Sequence, residues 1–336
     1  MSAALRVLAP GPLTTLQDGG RFGWLRLGVP PSGALDPCAL AVANLLVGNR
    51  RDAGALEFTL AGGAFAVEGG AARVALAGAD MDMTIDGCAA ARERSHTLAP
   101  GATLRIGSAR SGVRAYLAIA GGFAVTPVFG SVATHVRSGI GGFHGRALEA
   151  GDALPLAGAA PQGPELRLTA APPPTHPRVR VVLGSQDDHF TPGAIETLLQ
   201  GEYTVTARSD RMGCRLAGPR LEHAKGFNIV SDAIAPGSIQ VPGGSQPIIL
   251  LADRQTTGGY PKIATVIGAD LPALGQMRPG ERLRFEAVTL EAAVEARRLL
   301  ADWLDGLPAR LVPLGLLDSE MLLGANLISG VISGEG

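Results

Sequence analysis

Lysine is nearly missing from this chain: Lys225 and Lys262 are the only two, and arginine supplies the rest of the 29 basic side chains. That shortage excludes two functions. A Gly-Lys-Ser/Thr phosphate loop needs a lysine after a glycine, whereas Ala224 and Pro261 precede these two. A biotin carrier needs a Met-Lys attachment pair, and neither lysine follows a methionine. Cysteine is scarce as well. Cys38, Cys88 and Cys214 are widely separated and form no Cys-x-x-Cys, which argues against a disulfide framework or a thiolate zinc site and fits a reducing compartment. Aromatic residues are 4% of the chain and no basic run interleaves with them; with a net charge of −1, nucleic acid is not an expected partner.

Long apolar runs are also lacking. Residues 1–12 carry one arginine and no sustained apolar core, so they do not read as a signal peptide. Residues 311–332 are interrupted by Pro313, Asp318, Glu320 and Asn326, and an Asp alone costs about 2.5–3.5 kcal/mol at a helix centre in a bilayer. A cytoplasmic chain without membrane contact is expected. The six histidines (His96, His135, His144, His176, His189, His223) have no metal-ligand spacing, and Asp187-Asp188-His189 reads as a turn, so no metal is expected. No Gly-x-Ser-x-Gly elbow supports a serine hydrolase.

What is abundant is glycine (47), proline (24) and apolar side chains (46%) in 336 residues, enough for two cores. Between the turns, segments alternate with period two. Met81 to Asp86, Val113 to Ile119, Tyr203 to Ala207 and Arg282 to Val288 each place apolar residues on one face. Short alternating strands between Gly/Pro turns predict a mainly β chain, an antiparallel barrel or sandwich with a few short helices. Helices are predicted over residues 38–47 after Asp36-Pro37, from Thr191-Pro192 to Gly201, and over residues 290–304 after Thr289.

Four prolines within residues 170–177 predict a break between two barrel-like subdomains. The expected organisation is residues 1–169, a Pro-rich linker 170–178, a second barrel 179–306, and an extension 307–336. Echoed motifs (Asp36-Pro-x-Ala-Leu with Thr191-Pro-x-Ala-Ile, Pro100-Gly-x-x-Leu-Arg-Ile with Pro279-Gly-x-x-Leu-Arg-Phe) are consistent with related halves or with chance.

Three segments concentrate polar groups around glycine. In the first, Gln17, Asp18 and Arg21 flank Gly19-Gly20, with Ser32 and Asp36 following. A guanidinium fork grips a carboxylate or phosphate, and glycine lets backbone N–H groups approach an anion. An internal Asp18–Arg21 ion pair is the equally weighted alternative, and Asp36 reads as a helix cap. In the second, Asp210-Arg211 precedes Gly213, where a solvated pair worth under about 1 kcal/mol is the default. The third runs from Ser231 to Lys262, with Gln240, Asp253, Gln255, Thr256, Thr257, Tyr260 and Lys262 interrupting apolar strands; such loops on a β scaffold commonly line sites.

These segments carry a resemblance. Pro10-Gly-Pro-x-Thr-x-x-Gln-Asp-x-Gly-Arg21, Gly28-Val-Pro-x-Ser-Gly-Ala-x-Asp36, Asn44-x-Leu-Val-Gly-Asn49 and Leu56-Glu57-x-Thr59 are followed in order by four more motifs. Those are Tyr116-Leu-Ala-x-Ala-Gly-Gly122, Asp210-Arg-Met-Gly213, Gly237-x-Ile-Gln-Val-Pro242 and Asp253-x-Gln-Thr-Thr-Gly-Gly-Tyr-Pro261. Together, over roughly residues 5–288, they resemble the KipA-like family. It includes allophanate hydrolase subunit 2, the C subunit of 5-oxoprolinase and the carboxyltransferase half of urea carboxylase. The resemblance implies a cyclophilin-like β-barrel architecture and a KipI-like partner sharing a cleft, with a LamB/YcsF-like barrel subunit in the 5-oxoprolinase members. ATP would be used by the complex, and biotin would sit on a separate carrier if the reaction is carboxyl transfer. Asp18, Arg21 and Asp253 are the expected catalytic residues. Gln17, Ser32, Asp210, Arg211, Gln240, Gln255, Thr256, Thr257, Tyr260 and Lys262 are the expected substrate contacts, for a small amide or lactam. The first reading is a subunit of an ATP-dependent 5-oxoprolinase, inactive or weak alone, the second a carboxyltransferase subunit acting on urea or a related amide, and the third a non-catalytic binding partner.

Overall fold

The computed structural model describes residues 3–170 and 172–315. The chain is mainly β, as its alternation predicts. An eleven-stranded sheet occupies the first half, its main path running from Cys88–Ala90 through Met81–Ile85, Thr103–Ala109, Ala61–Glu68, Ala55–Thr59, Arg114–Ile119 and Ala72–Gly78 to Ser95–Leu98. It curls around Leu16, Phe58, Phe65, Leu76, Leu104 and Leu117, all fully buried.

An eight-stranded sheet forms the second half. Its two edges are Arg282–Leu283 and Phe285–Ala287, which are separated in the chain by Arg284 alone. Edges joined by one residue must lie side by side, so this sheet is a nearly closed barrel, which removes its open edges. Val181, Tyr203, Ile239, Ile249, Ile263 and Phe285 fill it. One continuous strand was expected over Arg282 to Val288. Instead Leu283 pairs antiparallel with Tyr203, while Phe285 pairs parallel with Val179, because the segment turns the corner that closes the barrel.

Helix α1 (Pro37–Leu46) starts where Asp36 Oδ1 accepts the N–H groups of Cys38 and Ala39 at 3.0 Å. Helix α2 (Pro192–Gln200) is capped by Thr191 Oγ1, and the short helix α3 (Leu271–Gly275) was not anticipated. Helix α4 (Leu290–Asp305) begins at Thr289, whose hydroxyl accepts from Ala292 N at 3.2 Å. α1 lies across the outer face of Ala72–Gly78 and Arg114–Ile119. For that reason Arg114–Ile119 is buried on both faces rather than alternating: Leu117 and Ile119 face the core of the first sheet, and Tyr116 and Ala118 face the helix.

Residues 170 and 172–178 contain no helix or strand. After α4 the strand Leu311–Pro313 returns to the first half and pairs with Leu166–Leu168. Of the expected extension 307–336, residues 316–336 lie outside the described residues. Among the described residues no helix is long and apolar enough to cross a membrane.

Candidate functional site

The two halves meet on a buried arginine. The Arg211 side chain is 4% exposed. Its Nε and Nη2 donate to the two Asp253 oxygens at 2.8 and 3.1 Å, Nη1 donates to Glu57 Oε1 at 2.6 Å, and Nη2 also reaches the Gly33 carbonyl at 2.6 Å. Burial pulls the Arg211 pKa down, but Asp253 and Glu57 outweigh it and the net direction is up. Glu57, itself buried, accepts the Tyr116 hydroxyl proton at 2.6 Å and the Leu35 N–H, and stands 3.4 Å from Arg114 Nε. Two carboxylates and two guanidinium groups therefore balance in one dry network. The expected solvated Asp210–Arg211 pair is overturned: Asp210 caps its own turn through Met212 N and Gly213 N, while Arg211 points inward because two carboxylates await it there.

Gln276 extends the junction. It donates to Asp36 Oδ2 at 2.7 Å and accepts from Val113 N and Arg114 N, so the α1 cap is held from the second half. Burial raises the Asp36 pKa against the opposing bonds from Gln276, Ala39 and Cys38.

Residues 17–36 wrap this junction. Asp18 accepts from Gly20 N, Ser131 Oγ and Val132 N, all within 2.8 Å, and forms no ion pair with Arg21. Arg21 is fully buried. Its guanidinium donates to the carbonyls of Ala133 and Val128, and Nη1 has no partner among the described residues. Burial pushes its pKa down, with Asp18 and Asp253 opposing. The alternative of an Asp18–Arg21 bridge thus fails: both residues grip the same loop, residues 128–134, from different sides. Gln17 lies in the core, bound to Thr15 Oγ1 and the Thr134 carbonyl. Ser32 N donates to the Ala252 carbonyl across the halves, while its buried hydroxyl has no partner among the described residues.

The remaining expected contacts form a second group of bonds. Lys262 Nζ donates to Asp232 Oδ2 at 2.9 Å, and Gln186 donates to the same oxygen at 3.0 Å. That contact holds the Asp232 pKa below the ordinary range, Lys262 being the first cause. Gln255 donates to Gln240, and Gln240 to the Tyr260 carbonyl at 3.4 Å, leaving the Tyr260 ring half-exposed. Thr256 and Thr257 lie on the ribbon that pairs with Asp232–Ala233. The Asp253 to Lys262 stretch is thus split: Asp253 belongs to the junction, Arg254 to the cleft, and Gln255 to Lys262 to this second group.

Between the halves opens a cleft of about 900 Å³, walled by residues 19–37, by the barrel at Ala252, Arg254 and Ile267, and by α4 at Ala293 and Arg297. Glu57, Tyr116, Gln276 and Arg254 take part in the junction or the cleft without having been named from the sequence as site residues. Glu57 sat inside a quoted motif; nothing local marked Gln276, since its role depends on where α3 packs.

The stretch that builds most of both sheets and the charged junction between them, residues 27–287, matches the carboxyltransferase domain, subdomains A and B, and the chain belongs to that family. It is 38% identical over 291 residues to the C subunit of 5-oxoprolinase from Haemophilus influenzae, covering 87% of this chain and 93% of that one. The same identity holds over 300 residues with the C subunit of 5-oxoprolinase from Escherichia coli, covering 88% and 94%. The crystal structure of the Kluyveromyces lactis urea amidolyase superposes with a TM-score of 0.82 at 28% identity, over 92% of this chain and 21% of that one. This chain therefore spans about a fifth of the amidolyase.

Proposed function

We propose that this chain is the C-type subunit of an ATP-dependent 5-oxoprolinase, which opens the lactam of 5-oxoproline to glutamate. It would act with a KipI-like subunit and a LamB/YcsF-like barrel subunit. The observation that carries this reading is the 38% identity to two 5-oxoprolinase C subunits over more than nine-tenths of their length. Ring opening adds water across the amide C–N bond, and the released proton ends on the ring nitrogen. Attack at the amide carbon builds negative charge on oxygen, which fixed donors stabilise; losing one such donor costs about 100- to 1,000-fold in rate. The chain supplies a rigid polar frame for this, with Asp18, Arg21 and Asp253 held by their partners before any ligand arrives. Asp253 is fixed by two nitrogens of Arg211; further along the same segment Tyr260 is half-exposed, while Lys262 is buried and paired with Asp232. With no phosphate loop, ATP would be bound at the cleft or by a partner, in the cytoplasm where ATP is available.

A second reading is carboxyl transfer from a separately carried biotin to urea or a related amide. The TM-score of 0.82 to urea amidolyase and to urea carboxylase of Kluyveromyces lactis favours it. One experiment separates the two. The chain is co-expressed with the KipI-like and barrel-type subunits and assayed with ATP on 5-oxoproline and on urea. Glutamate release is the expected result, with the isolated chain nearly inactive. Full turnover by the single chain would remove the partner claim, and carboxylation of urea without glutamate release would favour the second reading.

A further inference from the structure

The cleft between the halves carries a charge that the protein does not balance. Among the described residues, Arg254 and Arg297 line it, and no aspartate or glutamate does. Arg254 is 3% exposed. Its Nε donates to the Ile234 carbonyl at 3.1 Å and its Nη1 to the Leu251 carbonyl at 3.3 Å, both neutral acceptors. Arg211, buried as deeply in the same junction, holds two carboxylates; Arg254 holds none. Burial alone acts on the Arg254 pKa, pushing it down to about 10, so the group is still a cation at neutral pH.

A residue with an unsatisfied donor lines the same space. Ser32 lines the cleft, and its buried hydroxyl has no hydrogen-bond partner among the described residues. The Ser32 N–H bond to the Ala252 carbonyl brings it beside the segment that carries Arg254. A buried unpaired hydroxyl is destabilising, and a buried charge without a counter-ion is more so. Both costs fall away together if an acceptor with negative charge enters. Arg297, exposed on α4 at the opening, adds attraction from outside. Apart from Thr265, the remaining lining side chains, among them Leu35, Leu251, Ile267 and Leu271, are apolar.

We infer that Arg254 and Ser32 form a binding site for one anionic group, a carboxylate or a phosphate, on a ligand whose body is uncharged where it meets the cleft. The site stands on the geometry; the identity of its ligand rests on the 5-oxoprolinase reading, in which the group is the lactam's carboxylate or a phosphate of ATP.

The test is calorimetric titration of the full chain with 5-oxoproline, with 2-pyrrolidinone (the same ring without the carboxylate) and with inorganic phosphate. At least one of the two anions is expected to bind, and 2-pyrrolidinone at least about tenfold more weakly than 5-oxoproline if the carboxylate is the bound group. Binding of phosphate alone assigns the site to a phosphate instead. Arg254→Gln should weaken the bound anion by at least tenfold. Because that variant also loses contacts to Ile234 and Leu251, Ser32→Ala is the cleaner companion: its hydroxyl has no protein bond to lose, so a three- to tenfold weakening with an unchanged Tm is expected. The inference is overturned if neither anion binds the wild-type chain, or if both variants bind as tightly as it does. Assays of the assembled complex keep the two claims apart. Lactam hydrolysis with an unchanged KM in Arg254→Gln removes the site and leaves the function. Arg254-dependent anion binding without lactam hydrolysis does the reverse.

Discussion

Arg211 Nη1 and Glu57 Oε1 lie 2.6 Å apart although 154 positions separate the two residues, and through this contact one half of the chain neutralises the other. Glu57 stands on the strand Ala55–Thr59 of the first sheet, while Arg211 precedes the strand Gly213–Ala217 of the second barrel. With Asp253 on the other side of the guanidinium, the pair fixes both the junction of the halves and the loop that carries Asp253 and Arg254.

Removing one member of a buried pair leaves the other charge stranded, which costs about 3–5 kcal/mol. Glu57→Gln is therefore expected to destabilise the chain by that order, since Arg211 keeps only Asp253 and Tyr116 loses its charged acceptor. Urea unfolding of wild type and variant measures it. A loss under about 0.5 kcal/mol would mean that the junction is open to water and that the network is not dry.

The architecture was legible because period-two alternation and Pro-initiated helices are local signals. Asp36-Pro37 and Thr191-Pro192 both cap helices, each through a side-chain oxygen that any reader of the sequence can assign. The junction was not legible. Asp210-Arg211 before a glycine looks like any surface turn, and only packing of the two halves reveals that Glu57 and Asp253 wait for the guanidinium. Arg254 escaped for a related reason: its meaning lies in a counter-ion that is absent, and a sequence does not display absences in space.

Gly33 is a second point where the junction is sensitive. Its φ of +84° is in the left-handed region, and a Cβ there would meet Gly20 N at 2.8 Å and the Asp18 carbonyl at 3.0 Å. Its own carbonyl accepts from Arg211. Gly33→Ala is expected to lower stability by about 1–3 kcal/mol through strain. A variant with unchanged Tm would show that residues 17–36 relax freely, contrary to their close packing.

The thiols provide a test that needs no variant. Burial pushes Cys38 up to about 12 and Cys214 to about 11, with Asp36 adding to the first and a Ser209 contact opposing the second. At pH 8 the thiolate fractions are roughly one part in ten thousand and one in a thousand, and both side chains are buried. Cys88 is exposed. One thiol per native chain should react promptly with a maleimide or aromatic disulfide at pH 8, and three after denaturation. Prompt reaction of two or three in the native chain would contradict the burial of Cys38 between α1 and the first sheet, or of Cys214 in the core of the second.

Arg21 decides how the first loop works. Its guanidinium holds the carbonyls of Ala133 and Val128, and Asp18 holds Ser131 Oγ and Val132 N on the same loop, so the two residues act on one target without touching each other. Lysine keeps the charge but not the fork, and cannot reach both carbonyls in the same plane. A hydrogen bond from a charged donor contributes about 1.5–3 kcal/mol. Arg21→Lys is therefore expected to lose about that much stability, and activity of the complex should fall with it. Asp18→Asn should follow the same course, because an amide cannot accept three bonds as a carboxylate does. Thermal unfolding and kcat/KM measured on the same preparations make the comparison. If Arg21→Lys lowers kcat/KM by tenfold or more while Tm holds, the unpaired Nη1 touches substrate, and Arg21 acts on the ligand rather than on the loop. If both quantities fall in step for Arg21→Lys and Asp18→Asn, the pair is a positioning device, and substrate chemistry is left to the groups that face the cleft.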